Sequence, residues 1–145
     1  MKRNSRLSLA LHTLSHMAGD PDRVRTSADI ADHAGTHPVV VRRVLGKLRE
    51  VGLLTAEKGH AGGWKLAVPA DSISLADVYL ALGEQLVSGV TQNTVPSTCR
   101  VETGLHARMA AVLDEIEENL VERLKKTSIS DVHPDSCSYC SSTAI

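Results

Sequence analysis

Apolar residues recur along this chain at two spacings, and the change from one to the other marks out the elements. Leu7, Ala10, Leu11, Leu14 and Ala18 step by three or four, the repeat of one helix face, behind Ser5 as a cap. The loop Gly19-Asp20-Pro21-Asp22 ends that helix. A shorter stripe of Ala28, Ile30, Ala31 and Ala34 follows Thr26. The Thr26 hydroxyl can cap the free amides, Asp29 completes a capping-box start, and Gly35 stops the run. Pro38 fits the first position of a third helix, where its missing amide hydrogen would have no partner anyway. Val41, Val44, Leu45 and Leu48 face inward on it, leaving Arg42, Arg43, Lys47 and Arg49 outward, and Gly52 closes it.

The period then shortens to that of strands. Leu53-Leu54-Thr55-Ala56 and Trp64-Lys65-Leu66 flank a tip, Glu57-Lys58-Gly59-His60-Ala61-Gly62-Gly63, whose adjacent glycines permit a tight reversal. Pro69 to Asp71 is a turn. Ser74 and Asp77 then form a second capping box, with Ile73 stapling onto Val78. Leu75, Val78 and Leu82, with Ala76 and Tyr79, dock this helix back on the domain. Leu86 to Pro96 has no sustained period and reads as a loop, with Cys99 near its end.

A long helix is expected from about Gly104 to Lys126. Met109, Leu113, Ile116, Leu120 and Leu124 form its stripe, broadened by Leu105, Val112 and Val121. Asp114, Glu115, Glu117, Glu118 and Glu122 cover the other side, and Lys125 and Lys126 suit its C-terminal dipole. A helix this far from the domain core either folds back on its own chain or pairs with a twin. Pairing is the favoured reading, because a single helix-turn-helix reaches only one half-site. The Ser-rich segment from Ser128, ending SCSYCSSTAI, reads as a mobile tail.

These elements predict a mostly α fold: a winged helix-turn-helix with a small two-stranded wing and a long C-terminal dimerisation helix. The expected boundaries are 1–83 for the DNA-binding domain, 84–103 for the loop carrying Cys99, 104–127 for the dimerisation helix and 128–145 for the tail. DNA readout needs an exposed helix narrow enough for the major groove, with fork-shaped donors early in it. Arg42 and Arg43 supply those donors, and Lys58 and His60 sit where the wing tip meets phosphates or a minor groove. Lys2, Arg3 and Arg6 at the first helix are further candidates for phosphate. The bland alternative is a small helical domain with a solvated basic face.

Composition sharpens this picture. The chain has 145 residues, 42% hydrophobic with no Phe, so its core must be aliphatic. No apolar run approaches the ~20 residues that span a bilayer, and no signal peptide is evident, so a cytoplasmic protein without membrane contact is expected. The net charge of −1 conceals an asymmetry. Residues 1–66 hold eleven Lys or Arg against six Asp or Glu, whereas residues 67–145 hold five against eleven. Such a chain can lay one half on a polyanion and hold the other away.

The chemistry-bearing residues point away from an enzyme. His12 and His16, four apart, share a helix face and would allow a metal between them; the plainer alternative is two histidines on a partly wet face, and no metal is assigned. In a reducing cytosol Cys99 is either an inert packing residue or a reactive thiol. Arg100 and a nearby helix start both favour its thiolate, so redox sensing is the reading preferred. Cys137 and Cys140 form a C-x-x-C pair, which suits a redox dithiol, half of a zinc site, a resolving partner for Cys99, or simply two exposed thiols. A small thiol–disulfide or metal-binding protein centred on that pair is the rival from another functional class.

The segments IADHAGTHPVVVRRVLGKLREVGLL, KGHAGGWKLA and ISLADVYLAL together resemble the Rrf2 family of bacterial transcription regulators. The likeness extends from the first helix to Asp131-Val132, and the glycine-rich wing followed by an aromatic residue and Leu-Ala is its most specific part. It implies a homodimer joined through the long helix on a palindromic operator; a repressor is the expected sense of regulation, with an activator as the open alternative. It also implies base or phosphate contacts from Arg42, Arg43, Ser27, His37, Lys58 and His60, and Thr26, Val39 and Lys47 complete the expected DNA-binding set. Cluster-binding members of that family carry three evenly spaced cysteines before the long helix. Here six residues either side of Cys99 stand Asn93 and Leu105, neither of which ligates iron. Even with help from His12 or His106, one thiolate provides poorly for a cluster. The expected protein is therefore cofactor-free, with an iron–sulfur or metal-responsive regulator of the same fold as the alternative.

Overall fold

The computed structural model describes residues 5–60, 62–86 and 98–133. Eight elements follow in order: α1 (Arg6–Gly19), α2 (Ser27–Ala34), α3 (Pro38–Glu50), β1 (Leu54–Glu57), β2 (Gly63–Leu66), α4 (Leu75–Leu82), α5 (Arg100–Leu124) and α6 (Ile129–Val132). A single 3-10 turn, Ala70–Ser72, leads into α4.

The starts and stops follow local chemistry. Ser5 caps α1 by accepting from the Ser8 amide, and Thr26–Asp29 and Ser74–Asp77 form complete capping boxes. Gly35 and Gly83 end α2 and α4 in the left-handed conformation, at φ 65° and 63°. β1 and β2 pair antiparallel with Leu54 opposite Leu66 and Glu57 opposite Gly63. Arg25 forms an isolated antiparallel bridge to β2, exchanging backbone hydrogen bonds of 2.8 and 3.1 Å with Trp64.

One aliphatic core unites these pieces. Leu7, Ala10, Leu14 and Met17 of α1 meet Ile30 and Ala31 of α2, and Val41, Val44, Leu45 and Leu48 of α3. Leu54, Trp64, Ile73, Val78, Tyr79 and Leu82 close it from the wing and α4. Burying one face of α3 this thoroughly leaves the other face to solvent.

Three expectations need correction. The loop assigned to 84–103 ends early: α5 begins at Arg100, with Cys99 at its N-cap. The tail expected to be mobile from Ser128 instead opens with α6, because Ser128 and Asp131 repeat the capping box and Ile129 has core to bury in. Leu75 N–H donates to Thr127 O and Ile129 N–H to Ile73 O, at 2.9 and 2.8 Å, stitching this return to the start of α4. Third, the α5 stripe divides. Leu120, Val121 and Leu124 pack on the chain's own core, while Met109 and Ile116 are each 46% exposed and Leu113 is half-buried between. Glu117, expected on the solvent side, accepts the Tyr79 hydroxyl and fastens α5 to α4.

Candidate nucleic-acid interface

α3 presents the candidate surface. Pro38 opens it, and the His37 ring caps it, Nδ1 accepting from the Val39 amide at 3.2 Å. With Nδ1 so engaged, the proton of a neutral His37 ring belongs on Nε2, which can donate outward. Val39, at 48% exposed, and Val40 lie beside this ring on the surface. Arg42 and Arg43 are both exposed, one turn from Pro38, opposite the buried Val41, Val44 and Leu45. A rigid helix thus carries two guanidinium forks and an apolar edge, the groups that read guanine edges, phosphates and thymine methyls.

Lys47 behaves differently. Expected to face DNA, it is half-buried, and its ammonium donates to the Leu82 carbonyl at 3.3 Å. That carbonyl belongs to the last turn of α4, where the helix dipole favours a cation. Arg6, offered in the sequence as a phosphate contact, is paired with Glu84 at 3.1 Å. Lys2 and Arg3 lie outside the described residues.

Thr26 and Ser27 occupy the start of α2 with their hydroxyls committed. Thr26 Oγ1 accepts the Asp29 amide and donates to the Asp29 carboxylate at 2.7 Å, which holds that carboxyl below its ordinary range. Ser27 Oγ accepts the Trp64 indole N–H at 2.9 Å. This bond locks the wing to α2, a positioning role for Trp64 that strand periodicity alone does not reveal.

The wing tip holds Lys58 and His60, both exposed. Its glycines are required by space. A Cβ on Gly62 would sit 2.3 Å from Glu57 O, and one on Gly63 would sit 2.5 Å from Arg25 O. Gly59 takes φ 105°, a conformation that side chains other than glycine rarely adopt.

Cys99 is exposed, and the backbone amides of Glu102 and Val101 hold its thiol below the ordinary value. It is the sole cysteine among the described residues; Cys137 and Cys140 lie outside them. One described thiolate does not fit the several-thiolate set that an iron–sulfur cluster takes. His106, on α5, stands 3.7 Å from the Glu102 carboxylate.

An unanticipated grouping lies between α1 and α2. His33, in the last turn of α2, meets the sequence-identified pair His12 and His16, with Nε2 of His33 and His16 3.0 Å apart. Burial, then the neighbouring His12, His33, Arg25 and His133, push the His16 ring down to about 4; burial and His33 lower His12. No helix among the described residues is long and apolar enough to cross a membrane.

Comparison with known proteins agrees with this geometry. The sequence profile of the Rrf2 family, described as an iron-dependent transcriptional regulator, matches residues 3–135. A Bacillus subtilis protein named as the HTH-type transcriptional regulator YwnA is 34% identical over 131 residues, covering 89% of this chain and 95% of its own. A Lactococcus lactis protein named as the HTH-type regulator YffB is 32% identical, covering 91% and 86%. A crystal structure of a Lactobacillus plantarum transcriptional regulator superposes with a TM-score of 0.75 at 20% identity, covering 88% and 86%. The capped α2–α3 pair, the glycine-built wing and the long α5 thus occur together in a chain that belongs to the Rrf2 family of transcriptional regulators.

Proposed function

We propose that this regulator binds a palindromic operator as a homodimer and represses by occupying it. α3 enters the major groove, Arg42 and Arg43 contacting bases and phosphates, with His37 and Val39 at its leading end. Lys58 and His60 of the wing follow the adjacent backbone. The observation that carries this reading is the division of α3 into a buried aliphatic face and an exposed face bearing two adjacent arginines. Two-fold pairing is supported by α5, where Val101, Leu105, Met109, Val112 and Ile116 remain exposed on one helix. A second copy laid against that stripe removes it from water and duplicates α3. Both roles suit a cytoplasmic protein.

Cys99 lies at the start of the same helix. Its thiolate-favouring position supports a redox input, in which oxidation at the pairing helix alters the spacing of the two recognition helices.

The test is fluorescence anisotropy with DNA from upstream of the protein's own gene, comparing wild type with the Arg42→Ala/Arg43→Ala variant. Wild-type binding lost in the variant, with unchanged melting, supports the assignment. Equal affinity at moderate salt overturns it.

A further inference from the structure

We propose that His12, His16 and His33 form a nitrogen-ligated site for one divalent transition-metal ion, Zn2+ by preference, bridging α1 and α2. Each residue offers one ring nitrogen, and the three nitrogens lie within 4.8 Å of one another. The ring centroids are 4.5, 4.5 and 5.2 Å apart, from two different helices. Tetrahedral zinc with bonds of about 2.05 Å sets its nitrogens roughly 3.3 Å apart. The Nε2 atoms of His16 and His33, at 3.0 Å, need move only a few tenths of an ångström to admit an ion. Metal would take the place of the direct contact between these two nitrogens.

Two further observations fit an occupied cleft. The Thr13 hydroxyl lines it, 3% exposed and with no hydrogen-bond partner among the described residues. A water on an ion's open fourth position would give that hydroxyl a partner. The carboxylates of Asp20 and Asp29 also line the cleft and offset the nearby Arg23 and Arg25. Imidazole nitrogen suits Zn2+, Ni2+ and Co2+, and this set is chemically distinct from thiolate ligation of a cluster.

The ion would tie α1 to the C-terminal turn of α2, four residues before Pro38 opens α3. If α3 reads DNA as proposed above, occupancy of this site and operator affinity are linked. The site itself does not depend on that reading.

The test uses metal-stripped full-length protein titrated with Co2+ and with Zn2+, without DNA. Expected are one ion per chain, visible Co2+ ligand-field bands without sulfur charge-transfer intensity, and a higher melting temperature with Zn2+. His33→Gln, at an exposed position, should retain the wild-type circular dichroism and lose at least tenfold in Zn2+ affinity; His16→Gln should do the same. Cys137→Ser/Cys140→Ser should bind as wild type. Absence of Co2+ bands, unchanged affinity in His33→Gln, or thiolate-to-cobalt intensity abolished by the cysteine variant each overturns the proposal. DNA affinity of the metal-free and Zn2+-loaded forms is then compared. An equal value removes the linkage while leaving the site in place.

Discussion

Replacing Ile129 with alanine probes the return of the chain after α5, the feature most at odds with a mobile C-terminal segment. Ile129 is 0% exposed and belongs to the same core as Leu14, Ile73 and Val78. Isoleucine to alanine deletes three buried carbons, at about 0.8 kcal/mol each, for a transfer loss near 2.4 kcal/mol. The site is walled by α1 and by the backbone bonds joining Ile73 to Ile129 and Leu75 to Thr127, so collapse around the vacancy is limited. The cavity left behind raises the expected cost to about 3 kcal/mol. Val132, three residues on and 45% exposed, supplies the internal control. Val132→Ala should cost less than about 1 kcal/mol. Urea unfolding at one fixed protein concentration, followed by far-UV circular dichroism, measures both, and an unchanged m-value keeps the comparison within one transition. If Ile129→Ala lies within about 0.5 kcal/mol of wild type, the anchoring of α6 to the core is refuted.

Three more outcomes are expected. Arg43→Ala should lower the slope of log affinity against log salt by about 0.9 per half-site, whereas Lys47→Ala, whose ammonium is held by Leu82 O, should leave the slope unchanged. Gly63→Ala sets a Cβ 2.5 Å from Arg25 O, so the wing must shift; operator affinity should fall and the Trp64 fluorescence should change, while native fluorescence with full affinity counts against the geometry. Cys99 should react with iodoacetamide faster than a free thiol at neutral pH. Its folded-state pKa is lowered by the Glu102 and Val101 amides, so the rate persists as pH falls below the ordinary thiol range and is lost only as pH passes the lowered value. A rate profile matching that of a free thiol would count against the helix-start assignment.

Much of the fold could be read from sequence because its boundaries are set locally. Thr26–Asp29, Ser74–Asp77, Gly35 and Pro38 act within a turn of their own position, and each does so here. The same pattern at Ser128–Asp131 was equally local, yet a Ser-rich composition masked it, and nothing nearby shows that Ile129 has a core to enter. Arg42 and Arg43 were legible for a related reason: once Val41, Val44 and Leu45 point inward, helical geometry fixes where their neighbours point. Lys47 breaks that inference because its long side chain reaches across to α4, a neighbour 35 residues away that the α3 pattern cannot see.

Tertiary placement also explains the divided stripe on α5 and the third histidine. Met109 and Leu120 satisfy the same periodic rule, but only the second finds the body of its own chain beneath it. Val101, Leu105 and Met109 stay exposed among the described residues, and it is this end of the stripe that the proposed second copy would cover. His12 and His16 share a face by spacing alone, two ligands short of a tetrahedral set. His33 joins them because Ile30 and Ala31 enter the core that α1 and α3 share, which brings the last turn of α2 within reach of that face. A two-residue hint thereby becomes a three-nitrogen cradle through packing that serves the helix-turn-helix core first.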